Sequence, residues 1–410
     1  MQWDVIVVGG GIAGLSIANH IARTRKQRIL VVEQYKAWGG RTATVRSAAT
    51  DTVPELQYEA GAGRIFRTHT RVSNLVKQFG LHTYPITSDS LFEQSPNPFV
   101  TLMASLKPLL ESLSKHDLAT HTLYELVPDS MRHVFAAYPY WAEIQLMRAD
   151  LSVATFSSDE PMGSHKNTDF YGIVEGIDSL ADSIYTLAEA AGVVLQNRHR
   201  VDEIRRVKGE TTMFEVKGMK EKTVPFRYTS SRVIIATPFS EFGKFSVLKD
   251  TPMLKQLAMS PLLRIYAVYP PSKSTGKLWF SDVKKTVTTN PLRYVIPINP
   301  KTGLIMISYT DGKDTDYWRA KEGDELDHAI ESNVRSLFPS LDIPKPVYLK
   351  KHDWVAGCTY WLPGDYDVAA ASRDAHNPSP NVFVCGESVS QNQAWIEGAL
   401  ESVETLKTLL

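Results

Sequence analysis

The sequence predicts an α/β fold, in which a Rossmann-like unit, split along the chain, is joined to a second, α+β unit that carries a helical insertion. Three observations predict it. The apolar run from Trp3 to Val8 closes on Gly9-Gly10-Gly11-Ile12-Ala13-Gly14, a second buried run spans Arg232 to Pro238, and a third, Val382 to Val384, closes on Cys385-Gly386-Glu387. Unbroken apolar runs of this kind are strands covered on both faces, as in a parallel sheet flanked by helices. Their wide separation sends the chain back to one sheet at its start, middle and end.

The opening element reads as strand, tight turn and helix N-terminus. Gly9 permits the turn, Gly11 lets the backbone approach a phosphate, and Gly14 lets the helix pack on the strand. The free N–H groups of Ile12, Ala13 and Gly14 meet negative charge. The next strand, Arg28 to Val32, ends in Glu33, at about the 20-residue offset where a carboxylate holds ribose hydroxyls. These residues predict a dinucleotide and leave NAD, NADP and FAD open.

After Gly39-Gly40-Arg41-Thr42 and the segment Tyr58 to Ile65, the spacing Val72, Leu75, Val76, Phe79 predicts a helix stopped by Gly80. Leu91 to Asp150 mixes helical patterns with Tyr138-Pro139-Tyr140-Trp141 and lacks Val/Ile runs, so it is predicted as a helical insertion covering a pocket. Ile177, Leu180, Ala181, Ile184 and Leu187 predict an amphipathic helix ended by Gly192, followed by a strand at Val193 to Leu195. Val201 to Val216 alternates as a hairpin about Gly209. Further strands are predicted at Leu263 to Tyr269, Arg293 to Ile298 and Leu304 to Tyr309, with helices from Leu326 to Leu337 and from about Ala394. The expected division is 1–67, 168–246 and 376–410 for the nucleotide-binding domain, and 68–167 and 247–375 for the substrate-binding domain.

The 410 residues suffice to bury roughly three quarters of the surface that the unfolded chain exposes, with no disulfide or metal needed. Forty-five basic residues balance forty-five acidic ones without a long basic run, which argues against nucleic acid and for a small molecule as partner. Cys358 and Cys385 have no metal-ligand spacing and suit a reducing compartment. The first strand begins at about Trp3 and no segment is long and apolar enough to span a bilayer, so a cytoplasmic protein is expected. A homodimer is compatible with this.

Gly9 to Gly14, Glu33, Gly39-Gly40-Arg41, Glu59 to Arg64, Val233 to Pro238, and Gly386-Glu387 with Trp395-Ile396-Glu397-Gly398-Ala399 together resemble the flavin-dependent amine oxidase superfamily over nearly the whole chain. The resemblance implies FAD, an amine or amino acid as substrate, and O2 reduced to hydrogen peroxide. It implies that Glu33 holds the adenosine ribose, that Gly39, Gly40 and Arg41 pass along the pyrophosphate, and that Gly61, Ala62, Gly63 and Ala236 line the cofactor. Val201 would meet the adenine or simply pack in its strand. Gly386 and Glu387 would lie by the ribityl phosphate, while Ala394, Trp395 and Ile396 would aim a helix N-terminus at the flavin pyrimidine.

Arg64 stands where the L-amino-acid oxidases of the superfamily carry an arginine for the substrate carboxylate and monoamine oxidases an aromatic. A guanidinium grips a carboxylate bidentately and rejects plain amines. A contact with cofactor phosphate or with a helix C-terminus is the other role open to it. Trp395 falls at an aromatic wall of the substrate cavity, and Tyr360 and Trp361, in the loop before Pro363, either face it or pack in the core. Arg264 takes the place of the family's usual lysine beside flavin N5, and Cys358 lies near the position of covalent flavin attachment or is a buried free thiol. The rival activities are monoamine or polyamine oxidation, with Asp150, Glu175 or Glu143 as the cavity acid; dehydrogenation of an apolar C–C bond; and flavin binding without amine turnover.

Overall fold

The computed structural model describes residues 2–86, 90–92, 98–136, 139–157, 170–209 and 212–410. Its central sheet has seven strands. Gln2–Val8 lies between Ile29–Val32 and Val224–Ile235, all parallel, and Val194–Gln196 extends the sheet beyond Ile29–Val32. Val382–Val384 pairs in parallel with Val233, Ile234 and Ile235. The predicted starting, middle and closing strands are therefore neighbours. Val5, Ile6, Val7 and Val8 are each at most 2% exposed, so each stabilises the sheet by about 1.5–3 kcal/mol, and neither face shows polar alternation.

The middle strand is longer than its apolar run. Val224 to Ser230 pairs antiparallel with Phe214–Lys220, which in turn pairs with His199–Arg206, before the same strand enters the parallel sheet. Its first half is polar because it lies in a partly exposed hairpin layer, which hid it from a search for buried runs. The hairpin forms as the alternation predicts, with residues 210 and 211 outside the described set.

The helices Ile12–Thr24, Asp178–Ala190 and Ile396–Leu409 pack beside the sheet through Ile17, Ala18, Ile21, Leu180, Ile184, Val403 and Leu406. The second sheet has six strands, in the order Tyr348–Trp361, Leu257–Val268, Leu304–Asp311, Tyr294–Asn299, Lys285–Val287 and Ser90–Phe92. Tyr348–Trp361 corrects the expected loop around Tyr360. Its first residues, Leu349-Lys350-Lys351-His352-Asp353, are too polar to read as a strand, yet they pair with Leu263 to Ala267 of Leu257–Val268. Short helices at Pro98–Ser112, Lys115–Thr120, Leu123–Leu126, Asp129–Ala136, Trp141–Gln145 and Ala149–Ser157 form the predicted insertion, Tyr138 lying outside the described residues.

A small sheet of Ile65–Phe66, Phe170–Ile173 and Thr83–Ile86 straddles the expected boundary at residue 67. One core continues from Val201, Phe214 and Val233 under the central sheet to Leu257 and Trp361 of the second, so the two layers share a floor.

Candidate active site

The glycine turn is closed on one side and open on the other. A Cβ on Gly14 would lie 2.0 Å from the Gly9 carbonyl oxygen, and one on Gly9, whose φ is +111°, would lie 2.5 Å from that of Ala236. Only glycine fits at either. A Cβ on Gly11 would meet nothing nearer than the Gly39 carbonyl at 3.9 Å, and one on Gly386 would meet nothing within 4 Å. The helix beginning at Ile12 has no side-chain cap and no acid in its first turn, so the N–H groups of Ile12, Ala13 and Gly14 face outward unpaired by side chains. Gly39 bridges to Gly11 and donates its N–H to Gly10, which brings Gly40 beside Gly11. This cradle fits a pyrophosphate. Glu33 is buried at 6% exposure, accepts the N–H groups of Gly10 and Tyr35 at 2.8 Å each, and keeps lone pairs for a hydroxyl. Val201 is buried at a register shift of the hairpin.

Arg41 does not stand alone. Its guanidinium donates to Glu387 at 2.7 Å and to the Gly357 carbonyl at 2.8 Å. Glu387 also accepts the Thr359 hydroxyl at 2.8 Å and the Ala394 N–H at 3.1 Å. The carboxylate thereby ties the Arg41 turn to the second sheet and to Ala394, a non-glycine residue at φ +68°. That left-handed conformation costs about 1–2 kcal/mol, which the charged hydrogen bond offsets, and it sets Trp395 at the head of the final helix.

The Glu59–Arg64 turn docks on Arg41–Ala43, with the Ala62 N–H donated to the Arg41 carbonyl at 2.9 Å. Arg264 crosses from the second sheet and donates to the Glu59 carbonyl at 3.1 Å and to the Gly61 carbonyl, with Tyr309 under its guanidinium. Trp354 adds an indole N–H to the Ala60 carbonyl at 2.7 Å. Arg264 therefore braces the turn beside Gly63. The turn in turn holds Arg64, whose guanidinium carbon is 4.8 Å from the centroid of Phe170 and 5.8 Å from that of Trp395. Trp395 stacks on Phe170 and meets His69 edge-on at 4.9 Å. Among the described residues Arg64 has no hydrogen-bond or carboxylate partner.

Strand alternation separates Tyr360 from Trp361. Trp361 is fully buried and donates to the Ser390 carbonyl, a core residue. Tyr360 faces the other way and donates to Glu143 at 3.1 Å. Of the three acids considered from sequence, only Glu143 joins the cluster: Asp150 is paired with Arg148, and Glu175 with His82. Asp311, beside it, accepts the N–H groups of Trp141 and Ala142. Burial pushes both carboxyls up, the Glu143 charge pushes Asp311 further, and Arg64 pulls Glu143 back. Burial also raises the Cys358 thiol. Tyr294 stacks on Tyr309 with centroids 5.7 Å apart, and Lys285 lies over Tyr294 at 5.4 Å.

Sequence reasoning missed Lys285 and Phe170, which nothing local marks. Tyr294, Tyr309 and Asp311 lie in Pro291–Ile296 and Ile307–Gly312, two segments whose sequence also resembles the L-amino-acid oxidases of the superfamily, but that resemblance gave them no individual role.

Fold and site together define a parallel sheet with a glycine cradle open to a phosphate, joined to a second sheet that carries a cluster of polar and aromatic side chains. The chain belongs to the flavin containing amine oxidoreductase family, whose profile matches residues 12–404, and its cofactor is FAD. It is 40% identical to the flavin-containing amine oxidase A of Bos taurus over 85 residues, 21% of this chain and 15% of that protein's length. An L-amino-acid oxidase of Echis ocellatus is 21% identical over 97% of this chain and 87% of that one. Wild-type putrescine oxidase bound to putrescine has a TM-score of 0.74 at 17% identity, covering 100% of this chain and 98% of that chain. Cyclohexylamine oxidase from Brevibacterium oxydans has 0.73 at 19%, covering both chains completely. At these identities the likeness shows the fold alone. Among the described residues no helix is long and apolar enough to cross a membrane.

Proposed function

We propose that this chain oxidises the CH–NH2 group of an L-amino acid, with Arg64 as the anchor of the substrate carboxylate. The observation that carries this reading is the guanidinium of Arg64, which lies against Phe170 and Trp395 and has no hydrogen-bond or carboxylate partner among the described residues. Contact with two aromatic faces supplies about 0.5–2 kcal/mol. The half-buried guanidinium has given up part of its hydration with no carboxylate in return among the described residues. The lost hydration favours an anion at that position, and a carboxylate offers two oxygens to the fork.

FAD, held by the glycine cradle and Glu33, would supply a two-electron acceptor for the α-hydrogen, with O2 as the final acceptor reduced to H2O2. The residues of this chain do the rest. Arg64 fixes the carboxylate, Arg264 holds the turn that carries Arg64, and Trp395 and Tyr360 bound the space for the amine. The imine product hydrolyses to a keto acid and ammonia. Anaerobic bleaching of the flavin band by a pool of L-amino acids, and not by mono- or polyamines, is the expected result. A flavin that amines alone reduce would replace this reading with the second one, amine oxidation, which the buried Glu143 and Asp311 pair favours.

Two further outcomes are expected for the cofactor. In Gly11→Ala the new Cβ has room within the protein, so the apoprotein should melt like apo wild type while its flavin content falls roughly tenfold or more, because the methyl occupies the phosphate's approach. Equal flavin content in the variant would place the pyrophosphate elsewhere. For Cys358, burial disfavours the thiolate that a thioether would need, so acid precipitation should leave all the flavin in the supernatant.

A further inference from the structure

We propose that Lys285 is a second anchor beside Arg64, and that the amino acid taken carries a second negative group at its side-chain end, as a dicarboxylic amino acid does. The inference rests on the amino-acid reading of Arg64. Lys285 begins the short strand Lys285–Val287, next to Tyr294–Asn299 in the second sheet. That pairing lays its ammonium 5.4 Å from the Tyr294 ring centroid, in the same group as Arg64, Tyr309 and Tyr140. Among the described residues no carboxylate pairs with it, whereas nearly every other part-buried cation in the fold has one or is committed to carbonyls: Arg41 to Glu387, Arg148 to Asp150, Arg293 to Asp314, and Lys351 to Glu322.

The two acids of the cluster are engaged elsewhere. Glu143 takes the Tyr360 hydroxyl, and Asp311 takes two backbone N–H groups. Burial raises both, which reduces the negative charge they offer to a cation and their repulsion of an incoming anion. The Arg64 and Lys285 cations repel each other. Burial and the charge of Arg64 together push Lys285 down to about 7. A ligand bearing two carboxylates removes that repulsion by giving each cation its own partner; a neutral or basic side chain leaves Lys285 unpaired.

The groups around Lys285 are the Arg64 guanidinium from the glycine turn and the Tyr294 ring from the adjacent strand, with Tyr140 of the insertion bonded to the Tyr294 hydroxyl. Burial pushes the Tyr294 and Tyr140 hydroxyls up and Lys285 down to about 7, so a second carboxylate beside Lys285 raises its affinity for a proton. Binding of a dicarboxylate between pH 7 and 8 therefore takes up a proton.

The test uses the FAD-loaded protein and two unreactive ligands, glutarate and butyrate, in calorimetric titrations in buffers of different ionisation enthalpy. Glutarate is expected to bind roughly tenfold or more tightly than butyrate, with proton uptake; Lys285→Met should erase both the preference and the uptake while butyrate affinity changes less than about twofold. L-Glutamate or L-aspartate should likewise exceed L-glutamine in kcat/KM only when Lys285 is present. If butyrate binds and glutarate binds no better, or if Lys285→Met weakens both alike, the second anchor is overturned and the Arg64 reading stands. If neither ligand binds, both fall.

Discussion

Arg64→Ala is expected to lower kcat/KM for L-amino acids by roughly 10²- to 10³-fold, corresponding to about 3–4 kcal/mol, the usual loss when one partner of a desolvated charge pair is truncated. Flavin content should change little, because the guanidinium contacts Phe170 and Trp395 and its turn is held from outside by Arg264 and Trp354. Arg64→Lys separates charge from shape. It restores the positive charge without the planar fork, so it should recover only part of the loss and mostly in KM. Simple amines have no carboxylate to lose and should be oxidised equally well, or better, by the alanine variant. Steady-state peroxide release on matched amino-acid and amine pairs measures all of this. An unchanged amino-acid rate in Arg64→Ala would remove the carboxylate assignment.

What the sequence disclosed about this site follows from how local each signal is. The cradle is built from residues whose type is dictated by a backbone contact within a few positions. Gly14 against the Gly9 carbonyl is such a case, and it is visible as a spacing. The parallel strands announce themselves because burial on both faces removes their polar residues. Arg64 was legible only through resemblance, since an arginine in a glycine-rich turn has many ordinary uses. Glu143 comes from the insertion and Asp311 and Lys285 from two different strands of the second sheet; Glu143 meets Asp311 only when the insertion packs on that sheet, and Lys285 joins them through Arg64. No period or spacing encodes that meeting. Tyr348–Trp361 was hidden for the opposite reason: a long strand whose polar first half is sustained by pairing, with little apolar burial, gives no apolar signal at all.

Glu59 links this architecture to pH. Its carboxyl accepts the Thr44 hydroxyl at 2.7 Å and the Ile177 N–H at 3.0 Å, and so fastens the start of the Arg64 turn to the helix Asp178–Ala190. Burial lifts its pKa from 4.5 to about 7, outweighing those two hydrogen bonds. A carboxyl raised in this way is more tightly protonated in the folded state. Its contribution is therefore fully present below the unfolded value and lost as pH rises from about 4.5 to about 7, because the unfolded chain gives up the proton first. The difference amounts to roughly 3 kcal/mol. Glu59→Gln keeps the shape and cannot ionise: its amide oxygen accepts from Ile177, and its NH2 donates to the Thr44 oxygen once that hydroxyl turns. The variant is expected to match wild type in urea midpoint at pH 5 and to exceed it at pH 8, where charged Glu59 destabilises the native protein. Subtracting the two pH curves cancels every other titrating group. A gap that does not change between pH 5 and 8 would show that Glu59 is ionised in the folded protein throughout. The same result would leave Arg64 carried by a turn whose position does not depend on that proton.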